Sequence, residues 1–328
     1  MNSRTVHKET NAPQPLRSSR QINVILRQDD PSGGAAQDGK PGTKTWPHRE
    51  QLTELQKELN QMVGLENVKE IVYEIYALLQ ISQMRSELGM QSASHVYHMI
   101  FKGNPGTGKT TVARIIAKMF KTMGVLSKGH FIEVERADLV GEYIGHTAQK
   151  TRDLVKKALG GILFIDEAYS LARGGEKDFG KEAIDTLVKA MEDHKNQFVL
   201  ILAGYLDEID YFLQMNPGLP SRFPIQIEFP DYSIDQLIQI AELMAEEREY
   251  WLNPQSILKV KQHLAQEKVA YMRTFSNARY VRNLIEKSIR HQAVRLLNHY
   301  ASTVPSKQEL MTIRPEDLKL DKSSGAKG

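Results

Sequence analysis

The sequence predicts an α/β core with a five-stranded parallel sheet, followed by a C-terminal domain made of helices. Between Val96 and Phe229, short apolar runs alternate with stretches of helical spacing, which is typical of parallel strands joined by covering helices. After Ser233, every apolar pattern has helical spacing. A glycine-rich segment between the first strand and the next helix, Gly103–Gly108, adds a sharp strand-to-helix turn. The predicted strands span residues 96–101, 130–135, 161–165, 198–203 and 225–229.

The segments outside the core differ in composition. The stretch PSGGAAQDGKPG (Pro31–Gly42) has too few apolar residues to offset the entropy of ordering, so we expect a disordered N-terminal tail around it. Within the tail, QINVILR (Gln21–Arg27) is either a strand or docking segment, or a chance apolar patch. The predicted segments are a disordered tail (1–47), a helical N-terminal linker (48–92), the α/β core (93–232), an α-helical domain (233–320) and a second disordered tail (321–328).

The glycine-rich turn has the spacing of a phosphate-binding loop. Gly103 is followed by four residues and then by Gly108, Lys109 and Thr110, which matches G-x-x-x-x-G-K-[ST]. Backbone N–H groups at a helix N-terminus favour an anion, the lysine reaches the β- and γ-phosphates, and the hydroxyl holds Mg²⁺. The alternative is a glycine-rich turn with an incidental surface lysine. The predicted ATP-binding residues here are Gly103, Asn104, Pro105, Gly106, Thr107, Gly108, Lys109, Thr110 and Thr111.

Two carboxylates follow the third predicted strand. GILFIDEAYS (Gly161–Ser170) is an apolar strand that ends in Asp166 and Glu167. Ligands of open α/β sheets bind at the carboxyl ends of the strands. We therefore expect Asp166 to belong to the Mg²⁺ shell and Glu167 to orient or deprotonate the attacking water; the alternative is a pair of solvated carboxylates.

These motifs resemble those of the AAA+ ATPases. The segments that show the resemblance are GNPGTGKT, LFIDEA, SRF (Ser221–Phe223) and NARYVRN (Asn277–Asn283). ERADLVGEYIGHTAQKTRDLV, GGILFIDEAYSLARGGEKDFGKEAIDTL and ILAGY are similar to a sporulation branch of this family, related to the red-type Rubisco activases. The resemblance covers Leu52 to Leu320. It implies a P-loop AAA+ core with an α-helical lid, ATP hydrolysis, and a homo-hexamer with ATP sites shared between subunits.

The resemblance also assigns roles to arginines. Arg222 would be the arginine finger that reaches the γ-phosphate held by a neighbouring subunit, where such a residue stabilises transition-state charge. Without the resemblance, Arg222 would be interpreted as a surface arginine before an edge strand. Arg279 is similar to the sensor-2 arginine that couples the lid to the phosphates, and Arg282, one turn further on, competes for that role.

The resemblance suggests roles for three further positions, and the sequence leaves each role open. Val63 and Gly64 match the segment that lines the adenine pocket in this superfamily, or form an ordinary apolar helix start. Tyr205 stands near the place where many relatives have Asn or Thr to position water. Because a tyrosine extends further than an amide, its sensor-1 role is open.

One exposed loop is expected to contact substrate. The triplet Tyr143-Ile144-Gly145 corresponds in the resemblance to the pore loop that grips a polypeptide threaded through the ring. The alternative is an aromatic side chain packed under its own loop.

Composition limits the remaining possibilities. The 328 residues include 43 basic and 40 acidic side chains, and no cysteine, which excludes disulfides, thiol catalysis and cysteine-ligated metals. The longest apolar runs, GILFI and FVLILA, are far shorter than the ~20 residues that span a bilayer, and the N-terminus has no apolar signal core, so we expect a cytoplasmic protein without membrane contact. Basic residues of the helical domain are interspersed with acidic ones, so a nucleic-acid partner is not expected.

The expected function is that of an MgATP-hydrolysing motor that remodels an unidentified protein substrate in a sporulating cell. A nucleic-acid-directed AAA+ motor and an ATP-switched scaffold are the alternatives. ATP and Mg²⁺ are the expected cofactors.

Overall fold

A computed structural model describes residues 49–91, 95–143, 145–173, 179–271, 274–300 and 303–320, with backbone only for 49–52. The expectations for the tails at 1–47 and 321–328, and for the segment Gln21–Arg27, lie outside the described residues. The helices are α1 (Arg49–Gln61), α2 (Glu66–Glu87), α3 (Lys109–Thr122), α4 (Arg136–Leu139), α5 (His146–Ala158), α6 (Gly180–Asp193), α7 (Leu206–Met215), α8 (Ile234–Glu246), α9 (Pro254–Ala270), α10 (Asn277–His299) and α11 (Lys307–Met311).

The five predicted strands form one parallel sheet, which confirms the predicted fold class. The strands are β1 (Met99–Gly103), β2 (Phe131–Val134), β3 (Ile162–Ile165), β4 (Val199–Gly204) and β5 (Ile225–Phe229). Their order is β2-β3-β4-β1-β5, so the strand that leads into the glycine-rich loop lies between β4 and β5. Phe101 of β1 pairs with Ala203 on one side and with Ile227 on the other. The loop therefore begins well inside the sheet, where its backbone is supported from both sides.

Helices cover both faces of this sheet because alternate strand residues point to opposite sides. Phe101 belongs to a core that also includes side chains of α2 and α3. Its neighbour Ile100 belongs to a second core, with α6 and α7. Every residue of β3 and β4 is buried, which explains why these strands appear in the sequence as continuous apolar runs.

Two of the C-terminal helices, α8 and α9, start at polar caps that the chain supplies locally. The hydroxyl of Ser233 accepts from the N–H of Gln236 at 3.2 Å, and the Gln236 side chain accepts from the N–H of Ser233 at 2.8 Å, which begins α8. The side chain of Asn253 accepts from the N–H of Ser256 at 2.7 Å at the start of α9.

The structure adds one feature to the predicted helices, a parallel pair of two-residue strands, β6 (Trp251–Leu252) and β7 (Thr312–Ile313). Strands this short have no periodicity that a sequence pattern can show. Within the described part of the chain, no helix is both long and apolar enough to cross a membrane.

Candidate functional site

A cleft of about 610 Å³ lies at the carboxyl ends of β1, β3 and β4, where the core meets the C-terminal helices. It brings together residues that are far apart in the sequence, as expected for an open α/β sheet. Of the predicted site residues, the cleft is lined by Val63, Gly103, Pro105, Gly106, Gly108, Lys109, Thr110, Thr111, Asp166, Glu167 and Arg279. Arg282 and Tyr205, whose roles the sequence left open, also line it.

The glycine-rich loop needs its glycines for both conformation and space. Gly108 has φ +99° directly before α3, a backbone conformation that other residues rarely adopt. Gly106 has φ +70°, and a Cβ there would lie 2.3 Å from the carbonyl oxygen of Ser276. The loop is therefore closely packed against the start of α10 while its N–H groups remain at the N-terminus of α3.

The Lys109 ammonium lies half-buried inside this loop. Its Nζ donates to the carbonyl oxygens of Gly103 and Asn104, both at 2.8 Å. Burial lowers the pKa of Lys109 from 10.5 to about 8, although the charge of Asp166 opposes the shift. Arg279 is close enough to lower the pKa further. An anion with several charges, such as a phosphate chain, would stabilise this ammonium.

The two carboxylates share a tight turn at the end of β3. The N–H of Asp166 donates to the carbonyl of Val134 at 3.0 Å, which extends the ladder to β2. The carboxylate of Asp166 accepts from the N–H of Glu167 at 3.0 Å. Glu167 has φ +46°, a conformation that costs free energy for a residue other than glycine and is often found at functional sites.

The donor set at the cleft suits a magnesium ion. The hydroxyl of Thr110 and the carboxylate of Asp166 line the same cleft, and Mg²⁺ is bound by oxygen ligands together with substrate phosphates. Thr110 Oγ1 also lies 3.5 Å from Glu133 Oε1, so a third acidic side chain approaches this hydroxyl. The sequence did not point to Glu133, because it lies in the middle of a strand and belongs to no motif.

One end of the cleft is less polar. Val63 lines it together with Met62, Ile240, Met244 and Ala278. Gly64 is not among the lining residues; a Cβ there would lie 2.4 Å from the side-chain amide of Gln236. An aromatic base would fit the apolar end and the phosphates the loop end.

Two predicted loop residues face away from the cleft. Thr107 is fully buried, and its hydroxyl donates to the carbonyl of Asn104 at 2.8 Å. The Asn104 side chain donates to both carboxylate oxygens of Asp231 at 3.0 Å. These side chains hold the shape of the loop, whereas its backbone is what faces a ligand.

Tyr205 stands at the N-cap of α7, where Gly204 ends β4. Its ring lies 5.9 Å from the ring of Tyr169. Burial raises the pKa of Tyr205, and the charge of Glu167 raises it further. The hydroxyl therefore remains a neutral hydrogen-bond donor at the cleft.

Arg222 and the Tyr143 loop lie outside the cleft. Arg222 forms an ion pair with Glu192 and donates to the carbonyl of Gly218 at 2.5 Å. Tyr143 is 65% exposed, with its ring 5.4 Å from that of His146, so it is not packed under its own loop. Gly145 has φ +80° and caps α5, while Ile144 lies outside the described residues.

Sequence reasoning missed three residues that join the loop to the C-terminal helices: Asp231, Tyr232 and Asn277. Tyr232 donates from its hydroxyl to the carbonyl of Thr107 at 3.2 Å and from its N–H to Asn277 at 3.1 Å. Burial raises the pKa of Tyr232 to about 12, so this hydroxyl keeps its proton. The NAR segment was the one available signal for Asn277, and it pointed to Arg279.

Comparisons with known proteins agree with this geometry. The family described as "ATPase family associated with various cellular activities (AAA)" matches residues 99–231, and an AAA lid domain matches residues 233–328. The chain is 60% identical to Stage V sporulation protein K of Bacillus subtilis (strain 168), over 84% of this chain and 85% of that protein. It is 42% identical to the chloroplastic ribulose bisphosphate carboxylase/oxygenase activase of Cyanidioschyzon merolae, over 82% of this chain and 90% of that protein. The crystal structure of the FIGL-1 AAA domain in complex with ADP matches with a TM-score of 0.53 at 15% identity, over 78% of this chain and 80% of that one, which shows a shared fold.

Proposed function

Because this chain belongs to the AAA ATPase family and is an ATPase, we propose that it uses ATP hydrolysis to remodel a protein substrate in sporulation, acting as a homo-hexamer. The observation that carries the proposal is that the predicted site residues lie in separate places. Lys109, Asp166 and Glu167 meet in one cleft, whereas Arg222 and the exposed Tyr143 lie outside it. This arrangement supports hydrolysis in the cleft, completion of the site by a neighbour, and a separate contact with substrate.

In the proposed site, the loop backbone and Lys109 bind the β- and γ-phosphates of ATP. Thr110 and Asp166 would hold Mg²⁺, which when bound neutralises charge on the phosphates. Glu167 orients the attacking water and accepts its proton. Arg279 binds phosphate from the lid, and Tyr205 donates a hydrogen bond near the water. The apolar end of the cleft contacts the base.

Arg222 is proposed to act on a neighbouring subunit. Its present partner, Glu192, is 56% exposed at the side chain, so the ion pair is weak enough to exchange for a phosphate. A cation that arrives from the neighbour stabilises charge as it develops on the transferred phosphoryl group. The ring form of the protein is therefore part of the catalytic proposal.

Tyr143 is proposed to grip the substrate polypeptide. An aromatic side chain offers a large contact area with few rotamers to restrict, which suits a contact that does not depend on sequence. The 60% identical relative is a stage V sporulation protein, which supports a role in sporulation.

The test is a crosslinking experiment with a disordered polypeptide. A photo-crosslinking amino acid replaces Tyr143 in the Glu167→Gln background, and fluorescent casein serves as the probe. The control places the same amino acid at Tyr211 of α7, which is exposed to nearly the same extent, 62% against 65%.

We expect a crosslink from position 143 that forms with ATP and not with ADP, and none from position 211. Equal crosslinks at both positions, or no crosslink at 143 in an assembled ring, would contradict the pore-loop role. Tyr143→Phe retains the aromatic contact area, so remodelling by this variant should persist, whereas Tyr143→Ala should lose it while keeping ATP affinity.

A further inference from the structure

Asn277 occupies an unusual position at the start of α10. It is fully buried, and its φ of +45° lies in the left-handed region, which asparagine and glycine tolerate better than other residues. A buried amide is costly unless its donors and acceptor are all satisfied. The contacts of this side chain therefore explain why a polar residue stands here.

Those contacts join three parts of the molecule. The Asn277 amide nitrogen donates to Asp231 at 2.8 Å, to the carbonyl of Phe275 at 3.0 Å and, at the longer distance of 3.4 Å, to the carbonyl of Pro105 in the phosphate loop. Its amide oxygen accepts from the N–H of Tyr232 at 3.1 Å. One side chain thus contacts the loop, the segment after β5 and the segment just before α10, the lid helix.

Other contacts also hold the phosphate loop against the start of α10. The N–H of Ala278 donates to the carbonyl of Gly106 at 3.2 Å. A Cβ at Gly106 would approach the N of Arg279 to 2.7 Å, so the loop backbone lies directly against the first turn of α10. On the other side, Asn104 donates to the carboxylate of Asp231, which is the acceptor of Asn277.

We infer that Asn277, together with Asp231, is a positioning residue of the ATPase reaction: it fixes the phosphate loop and Arg279 in one geometry. Arg279 follows Asn277 by two residues in the same helix turn and lines the cleft. Nucleotide that orders the loop therefore also orders the lid helix, and a movement of the lid changes the loop that binds phosphate. The inference rests on the proposed nucleotide site and is independent of the proposed remodelling of a protein.

The test compares two buried amides of the same helix. Asn277→Gly removes the side chain and keeps the backbone conformation, because glycine adopts positive φ without strain. Gln292→Ala is the matched control: Gln292 is 2% exposed and donates to the carbonyl of Leu310 at 2.7 Å, within the lid. Neither Gln292 nor its described partners line the cleft. Both variants lower stability if the amides are structural, but only one contacts the loop.

The probe is fluorescent ADP, titrated against the full chain. We expect Asn277→Gly to weaken ADP binding by about tenfold or more, since a hydrogen bond to a charged group is lost, and Gln292→Ala to leave it within about twofold. Amide hydrogen exchange gives a second readout. ADP should protect the Ala278 amide in the wild type and in Gln292→Ala, and should protect it much less in Asn277→Gly. Equal ADP affinity in all three proteins would overturn the inference.

A milder variant covers the case in which Asn277→Gly does not fold. Asp231→Asn keeps the shape of the side chain and removes the negative charge that accepts from the amides of Asn277 and Asn104, so ADP binding should weaken several-fold. Wild-type affinity in folded Asp231→Asn would contradict the role of this contact.

Lys109→Ala separates this inference from the site on which it rests. If Lys109→Ala still binds ADP with full affinity, the nucleotide lies elsewhere and the proposed site is wrong. If Lys109→Ala loses binding while the Asn277 and Asp231 variants keep it, the site stands and the positioning role is wrong.

Discussion

At the scale of single residues, the proposed mechanism gives Lys109 and Glu167 roles at different stages of ATP hydrolysis. Lys109 is a half-buried cation that donates to the carbonyls of its own loop, and Glu167 follows β3 with a positive φ. A cation beside the phosphates affects the bound ground state, whereas a carboxylate beside the water affects the chemical step. The two residues are therefore separable by measurement.

Lys109→Ala should abolish detectable ATP binding, whereas Glu167→Gln should bind ATP normally and hydrolyse it ~10²–10⁴-fold more slowly. The reason is that a glutamine side chain keeps the shape of glutamate but cannot accept a proton. Fluorescent-nucleotide titration and phosphate release measure the two effects. Equal loss of binding in both variants would contradict this division of roles.

Nucleotide affinity should also depend on pH through Lys109. Its pKa is about 8 in the free protein, and bound phosphate raises it, so binding takes up a proton once the pH exceeds that value. Nucleotide affinity should be nearly constant up to about pH 7.5 and then fall, approaching tenfold per pH unit by about pH 9.5. The nucleotide phosphates are already fully ionised above about pH 7.5, so their titration does not contribute to this fall. A titration of fluorescent ADP across this range measures the effect, and a flat profile would contradict the lowered pKa.

At the scale of elements, β1 is joined to β4 by a histidine as well as by backbone pairing. His98 is 4% exposed, and its Nδ1 accepts from the N–H of Leu200 at 3.0 Å. Burial lowers the pKa of His98 from 6.5 to about 4. The neutral imidazole thus adds one hydrogen bond to the β1–β4 ladder, at the end where β1 begins.

This histidine should make the core sensitive to acid. The pKa of His98 is about 4 in the folded protein and 6.5 in the unfolded chain, so between these values the unfolded chain binds the proton more readily. This group therefore leaves the free energy of unfolding intact above about pH 7 and lowers it as the pH decreases. The loss between pH 7 and pH 5 should be about 2 kcal/mol. His98→Asn keeps an acceptor for Leu200 and should remove most of this dependence, which urea unfolding at the two pH values can measure. A variant that loses stability in acid as steeply as the wild type would show that other groups are responsible.

Arg222, the proposed arginine finger, ends the 3₁₀ turn Pro220–Arg222 and does not line the cleft of its own subunit. Arg222→Ala should bind nucleotide with near wild-type affinity and lose ~10³–10⁵ in turnover, because the guanidinium acts on charge that develops in the transition state. Glu192→Gln serves as the control, since it removes the present ion-pair partner of Arg222 and leaves the finger intact. A large loss of ADP affinity in Arg222→Ala would place this arginine in its own site instead.

At the scale of the whole molecule, the proposed ring predicts complementation between two inactive variants. Mixed assemblies of Arg222→Ala and Lys109→Ala contain some interfaces at which an intact loop faces an intact finger, so ATP hydrolysis should partly return. The measurement is phosphate release as a function of the mixing ratio. Absence of recovery in any mixture, with co-assembly confirmed by mass spectrometry, would contradict the trans-acting role.

The parallel fold and the glycine-rich strand-to-helix turn could both be predicted from the sequence alone. The strands β3 and β4 were recognisable because they are buried on both faces and form apolar runs. The loop was recognisable because its function requires glycines, a lysine and a threonine that are consecutive in the chain, so their spacing survives in any tertiary context. Asp166 and Glu167 followed because they end a predicted strand of the same sheet.

Which distant side chains complete the candidate site depends on packing between elements and could not be predicted from the sequence. Asn104 meets Asp231 across 127 positions, and Asn277 reaches Pro105 across 172, distances in sequence that no local pattern encodes. The tertiary structure also shows that Tyr143 is exposed and that Gly64 lies against the side chain of Gln236, away from the cleft wall. The physical reason is that local motifs follow from backbone geometry, whereas the partner of a buried amide or the exposure of a tyrosine follows from how whole elements pack.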